Sequence, residues 1–244
     1  MTSERASASP GGVAAPVGHE HPDVTGGWLR PAVFGAMDGL VSNFALIAGV
    51  AGGSGDRQVI VLAGLAGLAA GAFSMAAGEY TSVAAQAELA EAEIAVERRE
   101  LIINPHGEEQ ELAELYAAKG LDAELAAEVA RQLHRDPDLA LDVHAREELG
   151  VTLDDLPSPR LAAASSFLSF AAGALVPVLP YLFGVHALWP AVVVALLGLF
   201  LCGAVVTRVT SRPWWFGGLR QLVLGAAAAS LTYAFGSLVG AGLG

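Results

Sequence analysis

Long apolar stretches separated by short polar turns dominate the chain. A helix of about 20 apolar residues crosses the hydrocarbon core of a bilayer, and five stretches reach that length. They cover approximately residues 30–52, 58–85, 160–183, 187–209 and 217–242. The pattern therefore predicts an all-α membrane protein with five transmembrane helices.

A long polar insert separates the second stretch from the third. Its Ala-, Glu- and Leu-rich beginning predicts a helix over 84–103 that continues the second transmembrane helix, until Asn104-Pro-His-Gly107 breaks it. Further helices are predicted at about 108–119, 122–135 and 138–149. The predicted organisation is a flexible N-terminal arm at 1–25, transmembrane helices 1 and 2 within 26–85, an acidic helical domain at 86–158 and transmembrane helices 3 to 5 within 159–244.

The arginines near the ends of the stretches predict the orientation, because basic residues concentrate in short cytoplasmic loops. With the N-terminus inside, only Arg57 falls outside, and the cytoplasmic ends carry Arg30, Arg160, Arg208, Arg212 and Arg220. We therefore expect an integral multi-pass protein with its N-terminus and residues 86–158 in the cytosol and its C-terminus on the opposite side.

The charge is as unevenly distributed as the hydropathy. Residues 86–158 hold nineteen of the 25 acidic residues but six of the 13 basic ones, a net charge of −13 against −12 for the whole chain. This surplus argues against nucleic-acid binding, which requires a basic surface. It fits a surface that attracts cations, although a merely solvated helical domain would also explain it. The single cysteine, Cys202, excludes an intrachain disulfide.

Two acidic residues lie inside predicted transmembrane helices. A carboxylate at the centre of a membrane helix costs roughly 2.5–3.5 kcal/mol on insertion scales, so Asp38 is expected to face a pore, a partner or a bound cation. Helix rise places Met75 at a depth similar to that of Asp38, with Glu79 one turn nearer the cytosol. A carboxylate with a thioether suits a transition metal such as Fe(II) or Mn(II), and Asn43 and Ser42 could add oxygens.

Glutamates also recur at helical spacing in the insert. Glu93, Glu97 and Glu100 form one helical stripe, and Glu108, Glu111 and Glu114 form another. Two such helices facing each other would make a carboxylate cage for divalent cations. His144 and Glu148, four residues apart, could close the cage from the last helix.

Two enzymatic alternatives lack their motifs. A di-iron oxidase of the ferritin type uses Glu-x-x-His, and the residues three before His106, His134 and His144 are not glutamates. The sequence also contains no Gly-x-x-x-x-Gly-Lys phosphate-binding loop. We therefore expect a protein that is not an enzyme and that needs no prosthetic group.

Two strings carry a resemblance to a known family. Asp38-Gly-Leu-Val-Ser42, within the longer segment 26–43, resembles the first span of the vacuolar iron transporter family, and Ser74-Met-Ala-Ala-Gly-Glu-Tyr80 resembles its second. The pairs Glu97 with Glu100 and Glu108 with Glu111, and the string Arg146-Glu-Glu-Leu-Gly150, fall where the family's cytosolic domain carries matching motifs. The resemblance runs from about residue 26 to the C-terminus.

The resemblance implies a five-span homodimer that carries Fe(II), and often Mn(II), out of the cytosol in exchange for protons. It implies a membrane metal site at Asp38 and Met75 and a cytosolic site at Glu97, Glu100, Glu108, Glu111 and Glu148. Where plant relatives have paired methionines, this chain has His144 and Ala145. We expect a bacterial member in the inner membrane. The competing hypothesis is a membrane-anchored buffer or sensor of divalent metals that transports nothing.

Overall fold

Every regular element that the structure describes is a helix. The computed structural model describes residues 27–153, 156–210 and 212–243, so the predicted N-terminal arm lies outside the described residues. The helices are α1 (Leu29–Gly53), α2 (Arg57–Ile103), α3 (Pro105–Ala118), α4 (Ala123–Leu133), α5 (Pro137–His144), α6 (Pro159–Leu175), α7 (Leu179–Leu182), α8 (Leu188–Thr210) and α9 (Trp214–Leu243). The prediction of an all-α chain is confirmed.

Helix α2 is long enough to cross a bilayer and continue well beyond it. Asp56 caps the start of this helix, because its side chain accepts a hydrogen bond from the backbone N–H of Gln58 at 2.7 Å. Its 47 residues correspond to about 70 Å of helix, and a hydrocarbon core measures about 30 Å. The predicted continuation of the second span through 84–103 is confirmed.

Four helices in the described part of the chain are long and apolar enough to cross a membrane, namely α1, α2, α8 and α9. The predicted span 160–183 is instead divided into the 17-residue helix α6 and the single turn α7. Pro177 and Pro180 lack the N–H that a continuous helix needs, and Val178 donates to the carbonyl of Leu175 at 3.0 Å, three residues back. The helix is thus interrupted at the prolines, and helix length alone does not establish a fifth span.

Helix α1 lies at the centre of the membrane bundle and contacts α2, α6, α8 and α9. Small residues allow these close contacts. A Cβ atom on Gly39 would collide with the backbone of Phe170 in α6, and one on Gly236 in α9 would collide with the backbone of Gly49. Backbone therefore approaches backbone at the α1–α6 and α1–α9 contacts, as small residues allow between membrane helices.

The insert folds as three short helices against the end of α2. The side chain of Asn104 accepts from the N–H of Gly107 and starts α3. The side chain of Asp136 accepts from the N–H groups of Asp138 and Leu139 and starts α5, which has Pro137 in its first turn. A π-helical turn (Ala145–Leu149) extends α5 and ends at Gly150, whose φ of 68° favours glycine. Helix α5 contacts α2, so the chain returns to the stem before entering α6.

Candidate metal centres

The first candidate site is a cavity of about 280 Å³ between α1, α2 and α6. It is lined by polar groups from α1 and α2 and by small or apolar residues: Asp38, Ser42, Asn43, Leu46, Gly67, Gly71, Ser74, Met75 and Phe170. The two predicted membrane ligands, Asp38 and Met75, therefore line the same space. Glycines create that space, because a Cβ on Gly67 would collide with the side chain of Leu46 and meet the side-chain oxygen Oδ1 of Asn43, and one on Gly71 would overlap the Phe170 ring.

Asn43 presents an unpaired oxygen at this cavity. Its side chain is 2% exposed. The amide nitrogen donates to the carbonyls of Gly64 at 3.1 Å and Ala174 at 2.6 Å, which ties α1 to α2 and α6. The side-chain oxygen Oδ1 is buried and has no hydrogen-bond partner. Since buried polar atoms are almost always paired, an oxygen left free in the residue that shares this cavity with Asp38 is suited to a bound cation or water.

Glu79 lies outside this set. It sits on α2 one turn beyond Met75 and is half-buried, and it does not line the cavity. Its predicted part in the transport pathway stays a prediction.

The second candidate site lies in the insert, where α2, α3 and α5 meet. Glu97, Glu108 and His144 are all buried, and ligand atoms of the three lie within 4.8 Å of one another. The Nδ1 atom of His144 is 3.0 Å from Glu97 Oε1, 4.0 Å from Glu108 Oε2 and 2.6 Å from Glu148 Oε1. We call these four residues the acid–histidine cluster.

Burial and mutual repulsion disfavour the charged forms of the cluster's carboxyl groups. Burial, repulsion from Glu148 and repulsion from Glu108 raise the pKa of Glu97 to about 7. Burial, followed by repulsion from Glu111, also raises the pKa of Glu108, while His144 acts in the opposite direction. The Glu97 Oε1 atom is buried, and its 3.0 Å contact with His144 Nδ1 does not have the geometry of a hydrogen bond, so this oxygen has no hydrogen-bond partner. A divalent cation would supply both the missing partner and the missing positive charge.

The donor set fits a divalent transition metal. Carboxylate oxygens and an imidazole nitrogen bind such ions at about 2.0–2.2 Å, so two ligand atoms on opposite sides of one ion lie about 4.4 Å apart. Ligand atoms that all lie within 4.8 Å of one another therefore need at most a small contraction. Oxygen with one nitrogen suits Fe(II), Mn(II), Co(II) or Zn(II) better than Mg(II) or Ca(II), which prefer oxygen alone.

The remaining predicted ligands of the insert are less central. Glu111 is exposed, although it is near enough to raise the pKa of both Glu97 and Glu108 by repulsion. Glu100 is half-buried on α2 and is not among the residues whose ligand atoms converge. Both are candidates for an outer ring of charge around the cluster.

Sequence reasoning missed His134. Its Nε2 atom lies 3.3 Å from the Nε2 atom of His144, and its Nδ1 atom is 2.9 Å from the Ala130 carbonyl oxygen. The two imidazole rings meet edge to face. The one available signal was the Asp136-Pro137 turn between the two histidines, which folds α4 back toward α5.

Comparison with known proteins finds similarity over most of the chain. Residues 29–237 match the model of the VIT family. The chain is 33% identical over 230 residues to "Vacuolar iron transporter 1" of Oryza sativa subsp. japonica, covering 91% of this chain and 90% of that protein. It is 39% identical over 219 residues to "Vacuolar iron transporter" of Acanthamoeba castellanii, covering 88% of this chain and 79% of that protein. "Vacuolar iron transporter 1" of Arabidopsis thaliana is 30% identical over 217 residues, covering 86% of each chain.

Proposed function

The chain belongs to the VIT family, and on that premise we propose that it carries Fe(II), and also Mn(II), out of the cytosol across a membrane in exchange for protons. Its relatives are named as iron transporters, and transporters are not enzymes. The observation that carries the proposal is the convergence of Asp38 and Met75 on one intramembrane cavity.

A single helix connects the two candidate sites. Met75 and Glu97 both lie on α2, which runs without interruption from Arg57 to Ile103. Glu97 is 22 positions after Met75, which corresponds to about 33 Å of helix. The acid–histidine cluster would concentrate the ion from dilute solution, because acidic surface raises the local concentration of cations. The ion would then pass to Asp38 and Met75.

Proton exchange follows from the chemistry of a carboxylate in a membrane. A cation bound to Asp38 neutralises a charge that is costly there. When the cation leaves, a proton restores neutrality, so each metal ion moved in one direction is matched by protons moved in the other. The free Oδ1 atom of Asn43 and the hydroxyl of Ser42 would complete the oxygen ligands at this step.

We further propose that the membrane region has five spans, with α6 and α7 together forming the third. The N-terminus and the insert would then face the cytosol, and the C-terminus would lie on the opposite side. A homodimer is part of this proposal, and the exposed apolar side chains of α2, such as Leu62, Leu65 and Phe73, are the surface that the second copy would cover. The bacterial inner membrane stays a prediction, since the relatives named above are from plants and an amoeba.

The decisive experiment measures flux in sealed proteoliposomes that contain a metal-sensing dye or a pH dye. The native chain should admit Fe(II) and Mn(II) and release protons. Asp38→Asn, which keeps the size of the side chain, should abolish both fluxes. The matched control is Glu88→Gln, which removes an exposed acid from the second half of α2 and should leave both fluxes unchanged.

Three results would overturn parts of the proposal. Normal metal flux in Asp38→Asn would remove the central role of Asp38. Metal flux without proton movement would exclude the exchange. No flux in the native chain, with metal still bound by the insert, would support the alternative of a membrane-anchored buffer or sensor.

A further inference from the structure

The contacts of His134 determine which nitrogen of its ring carries a proton. Its Nδ1 atom lies 2.9 Å from the carbonyl oxygen of Ala130, one turn earlier in α4. A carbonyl oxygen can only accept a hydrogen bond, so Nδ1 is the donor. In the neutral ring the other nitrogen, Nε2, then has a free lone pair and acts as an acceptor.

That lone pair faces His144. The Nε2 atoms of the two rings are 3.3 Å apart, and one of them must donate. Since Nε2 of His134 accepts, Nε2 of His144 carries the proton. The neutral His144 ring therefore has its lone pair on Nδ1, and the 2.6 Å hydrogen bond between Nδ1 and Glu148 Oε1 needs a second proton, shared by these two atoms, which a bound cation would displace. This nitrogen points into the acid–histidine cluster, 2.6 Å from Glu148 and 3.0 Å from Glu97.

We propose that His134 is a positioning residue, which fixes the ring of His144 in the form protonated at Nε2 and so presents Nδ1 as a metal ligand. The chain of donors runs from Nε2 of His144 to Nε2 of His134, and from Nδ1 of His134 to the Ala130 carbonyl. This inference rests on the proposed metal-binding function of the cluster. A histidine that binds metal through one nitrogen usually donates from the other to an oxygen acceptor; here a second imidazole takes that part.

Burial makes this arrangement restrictive. The His144 side chain is fully buried, and its two nitrogens face different partners. Rotation of the ring by half a turn would place a C–H group against His134 or against the carboxylates. Without the acceptor on His134, the ring could instead carry its proton on Nδ1 and donate it to Glu148, which would block the ligand position.

Three variants of the full-length protein in lipid nanodiscs separate these roles. His134→Phe keeps a ring but removes the acceptor, and His134→Gln can restore an acceptor through its side-chain oxygen. His106→Phe is the matched control, because His106 is exposed at the start of α3. Zn(II), which is diamagnetic, serves as the metal probe, and nitrogen-15 NMR of labelled histidines reports the proton on each ring nitrogen.

In the native chain we expect His144 protonated at Nε2 at pH 8, with a scalar coupling to the Nε2 nucleus of His134, both before Zn(II) is added and afterwards. His134→Phe should shift the proton of metal-free His144 toward Nδ1 and weaken Zn(II) binding about 10- to 100-fold, the range seen when such supporting partners are lost. His134→Gln should restore most of the affinity, and His106→Phe should match the native chain.

Two outcomes would overturn the inference. In one, metal-free His144 has the same proton position in the native chain and in His134→Phe. In the other, His134→Gln binds Zn(II) as weakly as His134→Phe, which would make His134 a direct ligand or a packing residue. A native chain that binds no Zn(II) at the cluster, yet shows the Nε2 coupling, would contradict the proposed metal site and leave the hydrogen-bond chain standing.

Discussion

Replacing Glu97 by Gln should stabilise the metal-free insert while weakening its hold on metal. The Glu97 residue is 9% exposed, and its pKa is raised from 4.5 to about 7 by burial and by repulsion from Glu148 and Glu108. Gln has nearly the same shape and carries no charge. It therefore removes the electrostatic cost of the buried carboxylate and, at the same time, one charged metal ligand.

The size of the effect follows from the difference in pKa between the folded and unfolded chain. Because the pKa of Glu97 is higher in the folded chain than in the unfolded chain, protonation of Glu97 stabilises the folded state. This stabilisation is complete below about pH 4.5 and is lost as the pH rises through 7. The shift corresponds to about 3 kcal/mol. At pH 8 the variant should be more stable by this amount, whereas at pH 5 the difference should be below about 1 kcal/mol.

Hydrogen exchange of the backbone amides of α3 and α5 measures this local stability in the intact protein. At pH 8, amides that exchange by unfolding of the insert should be protected about 300-fold more strongly in Glu97→Gln. Glu93→Gln, which changes an exposed acid one turn earlier in α2, should change nothing. A loss of protection in Glu97→Gln, or a gain that is equal at pH 5 and pH 8, would refute the reasoning.

Three further predictions test the cluster and the bundle. The affinity of the native insert for Mn(II), measured by titration calorimetry, should fall about tenfold for each pH unit below 7, because a proton competes with the metal for Glu97. If the affinity fell as steeply in Glu97→Gln, the competing proton would bind to a residue other than Glu97. Gly39→Val should force α1 from α6 and cost about 1–3 kcal/mol in the unfolding free energy measured by denaturing detergent, whereas Gly55→Val, with no atom within 4 Å of its Cβ position, should cost little. Asn43→Ala removes two interhelical hydrogen bonds and should cost about 1–3 kcal/mol in the same assay; native stability in this variant would show that water replaces the amide.

The local features of the chain could be predicted because they depend on residues close together in the sequence. The length of an apolar stretch is compared with the thickness of the bilayer, so α1, α2, α8 and α9 were identified without any tertiary information. The helix starts at Asn104 and Asp136 follow from side chains that bond to N–H groups two or three residues later. The break before α7 follows from Pro177, whose missing N–H acts only on its own helix.

The membrane cavity was predicted in part. Counting residues placed Asp38 and Met75 at similar depth, because rise per residue is fixed in a helix. The count could not show which way each helix face turns. The structure turns Asn43 inward, so that its amide joins α2 and α6 and its oxygen remains free, while Glu79 on the same helix as Met75 does not line the cavity.

All four members of the acid–histidine cluster were among the candidates that the sequence offered, but the tertiary structure decided which of the candidates converge. Spacing placed Glu97 with Glu100 and Glu108 with Glu111 as equal candidates, and a helical stripe has no preferred member until another helix docks against it. Docking of α5 on α2 buried His144 between Glu97 and Glu108, and the turn before α5 brought His134 to its other nitrogen. The sequence by itself determined that carboxylates and helices would be present. Which side chains share one buried volume depended on how the helices pack, since that is set by contacts between residues far apart in the chain.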